Sequence, residues 1–600
     1  MQEIAYLNLE TGFVGTVSAV GFERFSERHY AALKPQPDAT IAAEKLKSAP
    51  DRDVVLGLSA GLPTPEEIAV SAKALDANRK VYLHWPAEDA VEVVTAERLL
   101  SFRRHHRVVN LFRIWAALRL DIANFKARVR YGAQRIRNRL AGGVRIASAP
   151  IGRQLLTPAP AIPDATRFGF LKPHGGQYRA EGRGLYFRLD YWAKLKGGGS
   201  YGHTCYQVKA LNKASGEPIH CVLASHYALL DDFGVHQIVI PSRTHLADEY
   251  SLVENGEAYA GVVEEMLKLY KPQFVFERLV LGNAVVARAC RRAGIPYIAE
   301  FNGSELTMSK VFGGREMNNA AALQAIEKEA FDLADIVSVV SEPVKDAVMA
   351  LGIPATKILV NPNGVDLEAY HPLPAAERAA LRAELGFAPD DVVLGFCGTF
   401  GGWHGIEVLA EAMPEICKAR PNAKFLLIGD GGFKRLVTDA VDRAGVGAQV
   451  KDMGLVAQTE AARLLAACDI FLSPHSKNMG DKPFFGSPTK LFEYMAYGAG
   501  IVCSDLVQLG EVMRPAAMLA DRGGAIREDA RSILIEPAST PSLVDASLWL
   551  IDDPALRARL GRNAMKAAAE YYTWDAHVQS LWRFALGEEL GGYHKDRGQL

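Results

Sequence analysis

The sequence predicts an α/β fold in which two lobes, each an open parallel sheet with helices on both faces, face one another across a cleft. A smaller α/β module and a basic amphipathic helical segment precede them. Three observations carry that expectation. From about residue 183 to 570, short apolar runs alternate with longer stretches of helical period, the pattern of strands joined by crossover helices. The strand-like runs of the second half are apolar throughout, as buried parallel strands must be when both faces are covered. Between residues 101 and 141 the composition changes sharply, with eleven Lys and Arg against the single acid Asp121.

Composition narrows the function. The chain has 600 residues, and 49% hydrophobic with 23% charged residues is enough apolar content for several cores. A formal net charge of -1 argues against nucleic acid as a partner. The seven cysteines are scattered and form no C-x-x-C pair, so they read as buried reduced thiols of a cytoplasmic protein. No apolar run approaches the length of a spanning helix, and MQEIAYLNLE does not read as a signal peptide.

In chain order, residues 1–100 read as an accessory α/β module. Asp53 to Gly61 and Lys80 to Pro86 are its strands, with a helix capped at Thr64-Pro65 between them. Within 101–141, Leu111, Trp115, Leu118, Ile122, Phe125, Val129, Ile136 and Leu140 fall on one helix face, and most arginines flank that stripe. Two readings stay open. Arg103 to Leu140 either lies on an anionic membrane surface, peripheral at its inner face, or packs as a basic helix on its own catalytic domain or in a coiled coil. Residues 142–182, rich in Pro and Gly, read as a linker or wrapping segment.

Residues 183–365 form the expected first lobe. A strand at Leu185 to Tyr191 runs into KLKGGGSYGH and a helix from Thr204, and glycines at 197 to 199 let the chain turn tightly. Ligands of such sheets sit at the carboxyl ends of the strands. Gly198, Gly199, His203, Arg278, Glu300 and Asn302 are therefore candidate cleft residues, although a strand-end acid such as Glu300 or Glu305 serves equally well as a cap or a surface group. Residues 366–570 form the second lobe. Its strand ends carry Gly398, Thr399, Phe400, Trp403 and His404 in GTFGGWHG, Gly429 in GDGG, and Leu455-Val456. Residues 571–600 read as a final helix and a loose tail.

The most informative stretch is Phe484 to Met513. The backbone turns at Gly486, Ser487 and Pro488, and a short helix begins at Thr489 with Lys490 one turn in and Glu493 a turn deeper. A cation at a helix start attracts phosphate, and a carboxylate about 5 Å further along can accept from sugar hydroxyls.

SPTKLFEYMAYG followed by SDLVQLGEV resembles the donor-site segment of family 4 glycosyltransferases, retaining enzymes of the GT-B fold. W-H-G and S-P-x-K-L-F-E-Y-M point to one subset of that family. The resemblance implies that Glu493 binds the donor ribose and that Lys490 and His404 meet the diphosphate. Gly398, Thr399, Phe400, Trp403, Gly429, Leu455, Val456, Phe485, Gly486, Ser487, Pro488 and Thr489 would line the donor site. The family pattern has a glutamate where this sequence has Phe485, often Arg and Lys where it has Thr399 and His404, and often a histidine at Asn302. It further implies a nucleotide-sugar donor, a saccharide or lipid-linked acceptor, a role in surface polysaccharide assembly, lobe closure at a hinge near Asn363 to Asp366, and a last helix that crosses back to the first lobe. No cofactor is expected. Nor is a metal, because no D-x-D follows an apolar strand; Asp51-Arg52-Asp53 precedes one. Competing readings are another GT-B enzyme such as an epimerase or phosphorylase, a non-catalytic nucleotide-sugar binder, and a membrane scaffold.

Overall fold

In the computed structural model the described residues are 156–599, apart from 191–194, 196, 241–251, 254–255, 258, 307–316, 318 and 480–481. Of the preceding chain they comprise five strands and residues 95–96. The chain divides into two compact units, Met1–Arg128 and Val129–Leu600.

In the first unit, β1 (Glu3–Asn8), β2 (Phe13–Ser18), β3 (Val54–Gly57), β4 (Val81–Trp85) and β5 (Ala90–Val93) form one sheet in the order β2-β1-β3-β4-β5. The outer pairs are antiparallel and the inner pairs parallel. Both strands expected before residue 100 fall on β3 and β4. The helix expected from Thr64 and the basic segment 101–141 lie outside the described residues.

The second unit holds two seven-stranded parallel sheets. The first has the order β10-β9-β8-β11-β12-β13-β14. Its strands are β8 (Gly184–Arg188), β9 (His220–Leu223), β10 (His236–Val239), β11 (Phe274–Arg278), β12 (Tyr297–Phe301), β13 (Ile336–Val339) and β14 (Ile358–Val360). The central strands β8, β11, β12 and β13 are almost wholly buried, which is why they carry no polar face. Among its helices are α1 (Gly199–Lys213), α2 (Val285–Ala293) and α3 (Glu342–Met349). The second sheet runs β17-β16-β15-β18-β21-β23-β22, with β22 (Ala517–Met518) and β23 (Ile533–Ile535) at one edge. Its strands β15 (Val392–Cys397), β16 (Ala423–Ile428), β17 (Val450–Asp452), β18 (Ile470–Ser473) and β21 (Gly500–Ser504) bring their carboxyl ends to one edge, where α4 (Thr489–Met495) begins. A core of Leu394, Phe396, Leu409, Phe425, Ile470 and Val502 lies between this sheet and its helices.

Three sequence expectations are corrected. Helix α1 begins at Gly199, five residues before Thr204, because Arg188 at the end of β8 donates to both the carbonyl and the hydroxyl of Ser200 at 2.8 Å and so holds the first turn. Part of the expected linker is structured: Leu171–His174 and Gln177–Ala180 pair as an antiparallel hairpin, and Phe168 is fully buried. The expected loose tail also docks. Within the terminal helix α6 (Tyr593–Arg597), Asp596 is buried and accepts from Arg531 at 2.6 and 2.7 Å and from Tyr572 Oη at 2.5 Å. Between these, α5 (Trp574–Leu586) packs on the first lobe, with Trp582 edge-on to Phe274 at 5.0 Å and Gln579 exchanging two hydrogen bonds with the Tyr178 backbone.

Candidate functional site in the cleft between the lobes

The carboxyl ends of both sheets meet at the cleft. On the second lobe, Pro488 precedes α4 in an extended conformation and the helix carries Lys490 and Glu493 inward, both buried. Lys490 Nζ has no hydrogen-bond partner and sits 4.2 Å from the centre of the Phe396 ring. Burial pushes its pKa down to about 8. Gly398 makes this seat: a Cβ there would lie 2.8 Å from Lys490 Nζ, and the residue's φ of 147° is one that glycine tolerates.

The His404 ring is also buried here, with Nδ1 against the Thr399 carbonyl. Burial, Lys490 and His475 all hold it neutral by lowering its pKa well below the usual range. A neutral imidazole whose Nδ1–H donates to a carbonyl keeps Nε2 as an acceptor. His475, absent from the sequence-based candidates, lies edge-on to His404 at 5.1 Å; its Nδ1 contacts Ser473 Oγ at 3.0 Å and its buried Nε2 is unpartnered. The only signal for it was its place just past a strand end.

Glu493 lines a crevice with Tyr370, whose hydroxyl accepts from Gln458 Nε2 at 2.7 Å. Burial raises the carboxyl to about 7, partly offset by Tyr370 and Lys490. It shares that crevice with Thr489 and, from across the cleft, His203, Tyr206 and Trp574.

The loop before α4 is tied to the first lobe. Ser341 Oγ donates to the Phe485 carbonyl at 2.6 Å, Ser487 Oγ accepts from the Asn363 backbone at 3.1 Å, and the Asn363 amide donates to the Ser487 carbonyl. Phe485 packs on Gly303, where a Cβ would come within 2.3 Å of the ring. A Cβ on Gly199 would lie 2.6 Å from Thr489 Oγ1, and Gly197 faces the Val456 carbonyl. The glycine loop and the donor-type helix therefore touch.

The remaining candidates divide. Phe400 is turned into the core of its lobe, edge-on to Phe396 at 5.2 Å, and Gly429 packs against the Gly398 carbonyl. Trp403 covers Gly401, Gly486 lies under Phe484, and Leu455 is 74% exposed. On the first lobe, His203 Nε2 lies 2.5 Å from Glu300 Oε1, and Arg278 reaches both, at 3.2 and 3.5 Å. Burial would raise the Glu300 pKa, but the hydrogen bond to His203 and the Arg278 guanidinium outweigh it and lower the pKa to about 2, while burial lowers the His203 pKa to about 4 and keeps its ring neutral. Asn302 follows on the same strand end. Arg188 and Asp190, missed in the sequence, pair at 2.9 Å beside them. Glu511 accepts from Tyr593 Oη at 2.6 Å.

With this geometry in hand, comparison with known proteins gives a consistent answer. Residues 198–369 match the model of Glycosyltransferase Family 4, and residues 391–553 match that of Glycosyl transferases group 1. Both lobes thus match models of glycosyltransferase families. Among curated glycosyltransferases, the GDP-mannose-dependent monoacylated alpha-(1-6)-phosphatidylinositol monomannoside mannosyltransferase of Corynebacterium glutamicum is 27% identical over 234 residues, 38% of this chain and 54% of that protein. The D-inositol 3-phosphate glycosyltransferase of Segniliparus rotundus is 32% identical over 129 residues, 21% of this chain and 28% of that protein. The chain thus spans about half or less of the length of these two relatives. Two solved structures share the GT-B glycosyltransferase fold at a TM-score of 0.51: Anabaena Alr3699/HepE in complex with UDP, at 18% identity, and sucrose-phosphate synthase from Thermosynechococcus elongatus, at 17%. Each match covers 67% of this chain, with 98% and 97% of the other.

Proposed function

We propose that the protein is a retaining glycosyltransferase that moves a hexosyl group from a nucleotide-sugar to a saccharide or lipid-linked acceptor. The observation that carries this reading is the sealed, unpaired Lys490 ammonium one turn from Glu493 at the cleft. A buried cation without a partner is costly, and an anion arriving with the substrate completes it. The diphosphate would sit against Lys490, with His404 and His475 beside it, and Glu493 would accept from the ribose hydroxyls. As the sugar–phosphate bond breaks, negative charge grows on the departing diphosphate, which Lys490 stabilises without a metal ion. His203, Arg278, Glu300 and Asn302 would face the acceptor, and closure about residues 363–366 would exclude water.

The names of the curated relatives include GDP-mannose and phosphatidylinositol mannoside, and this favours a mannosyl-type donor and a lipid-linked acceptor. Work on surface polysaccharide at the inner face of a membrane, with Arg103 to Leu140 as the contact, fits that acceptor. Phe485 in place of an acid favours a second reading, a nucleotide-sugar binder without turnover. Thermal stabilisation by a panel of nucleotide-sugars, followed by product analysis with candidate acceptors, tests both. Stabilisation with no transfer supports the binder. Absence of any stabilisation removes the donor site.

A further inference from the structure

The two walls of the cleft have opposite unmet hydrogen-bonding needs. On the second lobe the sealed, unsatisfied groups near the seat are Lys490 Nζ, a donor, and His475 Nε2. On the first lobe they include the acceptors Glu300 Oε2, Asp190 Oδ1, His203 Nδ1 and Asn302 Oδ1, with the Tyr206 hydroxyl, which can donate or accept, nearby. Glu300 and His203 are each only 1% exposed, so no bulk water satisfies them. His203 Nε2 lies 2.5 Å from Glu300 Oε1 and 3.2 Å from Arg278 Nη1; the shorter contact to the carboxylate favours the proton on Nε2, and Nδ1 then keeps its lone pair. Glu300 Oε1 is already engaged by His203 and Arg278, so its other oxygen is free only to accept.

The charges of this group balance internally. Arg188 pairs with Asp190 at 2.9 Å and Arg278 lies 3.5 Å from Glu300, so two guanidinium groups meet two carboxylates around a neutral imidazole. An incoming phosphate would meet two carboxylates whose cations are already committed, and like charges at close range in a dry site repel strongly. An incoming hydroxyl would donate to a charged acceptor that has no other partner.

We infer that the acceptor end of the cleft recognises an uncharged, hydroxyl-rich ring, a sugar or cyclitol whose hydroxyls donate to Glu300 Oε2, His203 Nδ1 and Asp190 Oδ1. It rejects a ring bearing a phosphate beside the reacting hydroxyl. This rests on the glycosyltransferase reading and deepens it by setting the acceptor class. It also separates this cleft from relatives named for inositol 3-phosphate. Glu300, His203 and Asp190 are then acceptor ligands, and Arg278 and Arg188 are positioning residues.

The test uses the full chain and saturation-transfer NMR. The probes are myo-inositol and methyl α-D-mannoside, their monophosphate esters, and UDP and GDP as reporters of the opposite wall. The neutral rings bind, and their phosphate esters bind at least about tenfold more weakly. Glu300→Gln replaces an accepting oxygen with a donating amide, weakens neutral-ring binding about tenfold or more, and narrows the gap to the phosphate esters. Asp190→Asn, which keeps the shape of its side chain, does the same to a smaller degree and guards against misfolding of the first variant. Phosphate esters binding as well as the neutral rings, or no neutral ring binding while a nucleotide binds, overturns the inference. Failure of both UDP and GDP to bind instead removes the donor-site reading on which it stands, so the two failures are distinct.

Discussion

Phe485 of the second lobe lies directly over Gly303 of the first, so closely that a single added methyl group would sit 2.3 Å from its ring. Gly303 has a φ of 116°, a conformation that side chains resist. Gly303→Ala therefore costs about 2 to 4 kcal/mol, from the clash and from backbone strain together. Adding Phe485→Ala removes the clash but not the strain, so the double variant recovers only part of the loss. Urea unfolding of the two single variants and the pair measures this; full additivity would show that the lobes do not meet here.

Lys490 is more useful to ligands than to the fold. Its pKa falls from 10.5 to about 8 on burial, so holding it charged at pH 7 costs the folded state about 3 kcal/mol. For a base with a lowered pKa, stability rises as pH climbs through about 8 toward 10.5. Lys490→Met is expected to be more stable than the parent at pH 7 by a cost of that order, and to bind UDP or GDP at least tenfold more weakly. Calorimetric binding and denaturant unfolding check the two halves, and a less stable variant with unchanged binding contradicts both.

Glu493 and Lys490 together set a pH window for the free protein. Glu493 accepts from hydroxyls best when ionised, above about 7, and Lys490 attracts phosphate when protonated, below about 8. Nucleotide affinity should peak between those values. The raised Glu493 pKa also means that its contribution to stability is complete below the unfolded value of 4.5 and is lost as pH rises through about 7. Lys490→Arg should extend the alkaline limb, because the guanidinium stays charged. A pH titration of UDP and GDP binding by both proteins reads this directly.

The terminal helix contributes a second buried pair. Asp596→Ala would leave Arg531 with a buried, uncompensated charge and Tyr572 without its acceptor, a loss of about 3 kcal/mol or more. Denaturant midpoints of Asp596→Ala and Asp596→Asn measure it. A midpoint within error of the parent would mean that α6 is not docked in solution.

Much of this architecture is written locally. The apolar strands of both lobes were legible because a parallel strand covered on both faces has no polar period, and the start of α4 was legible because Gly486, Ser487 and Pro488 leave the chain little choice but to turn. The helix beginning at Gly199 was not, since glycine disfavours helices and only Arg188, eleven residues earlier, holds that turn. Nor was the docked tail, whose KDR reads as surface until Arg531 is brought beside Asp596.

The sequence by itself determined that Lys490 and Glu493 share a short helix at a sheet edge, because their spacing and the turn before them are properties of one segment. Only the tertiary structure decided that Lys490 is sealed without a hydrogen-bond partner and that Glu300, His203 and Arg278 form one group. It also decided that the two walls of the cleft ask for opposite hydrogen-bonding partners. Burial and partnership depend on residues tens to hundreds of positions apart, and no local pattern records which of them meet.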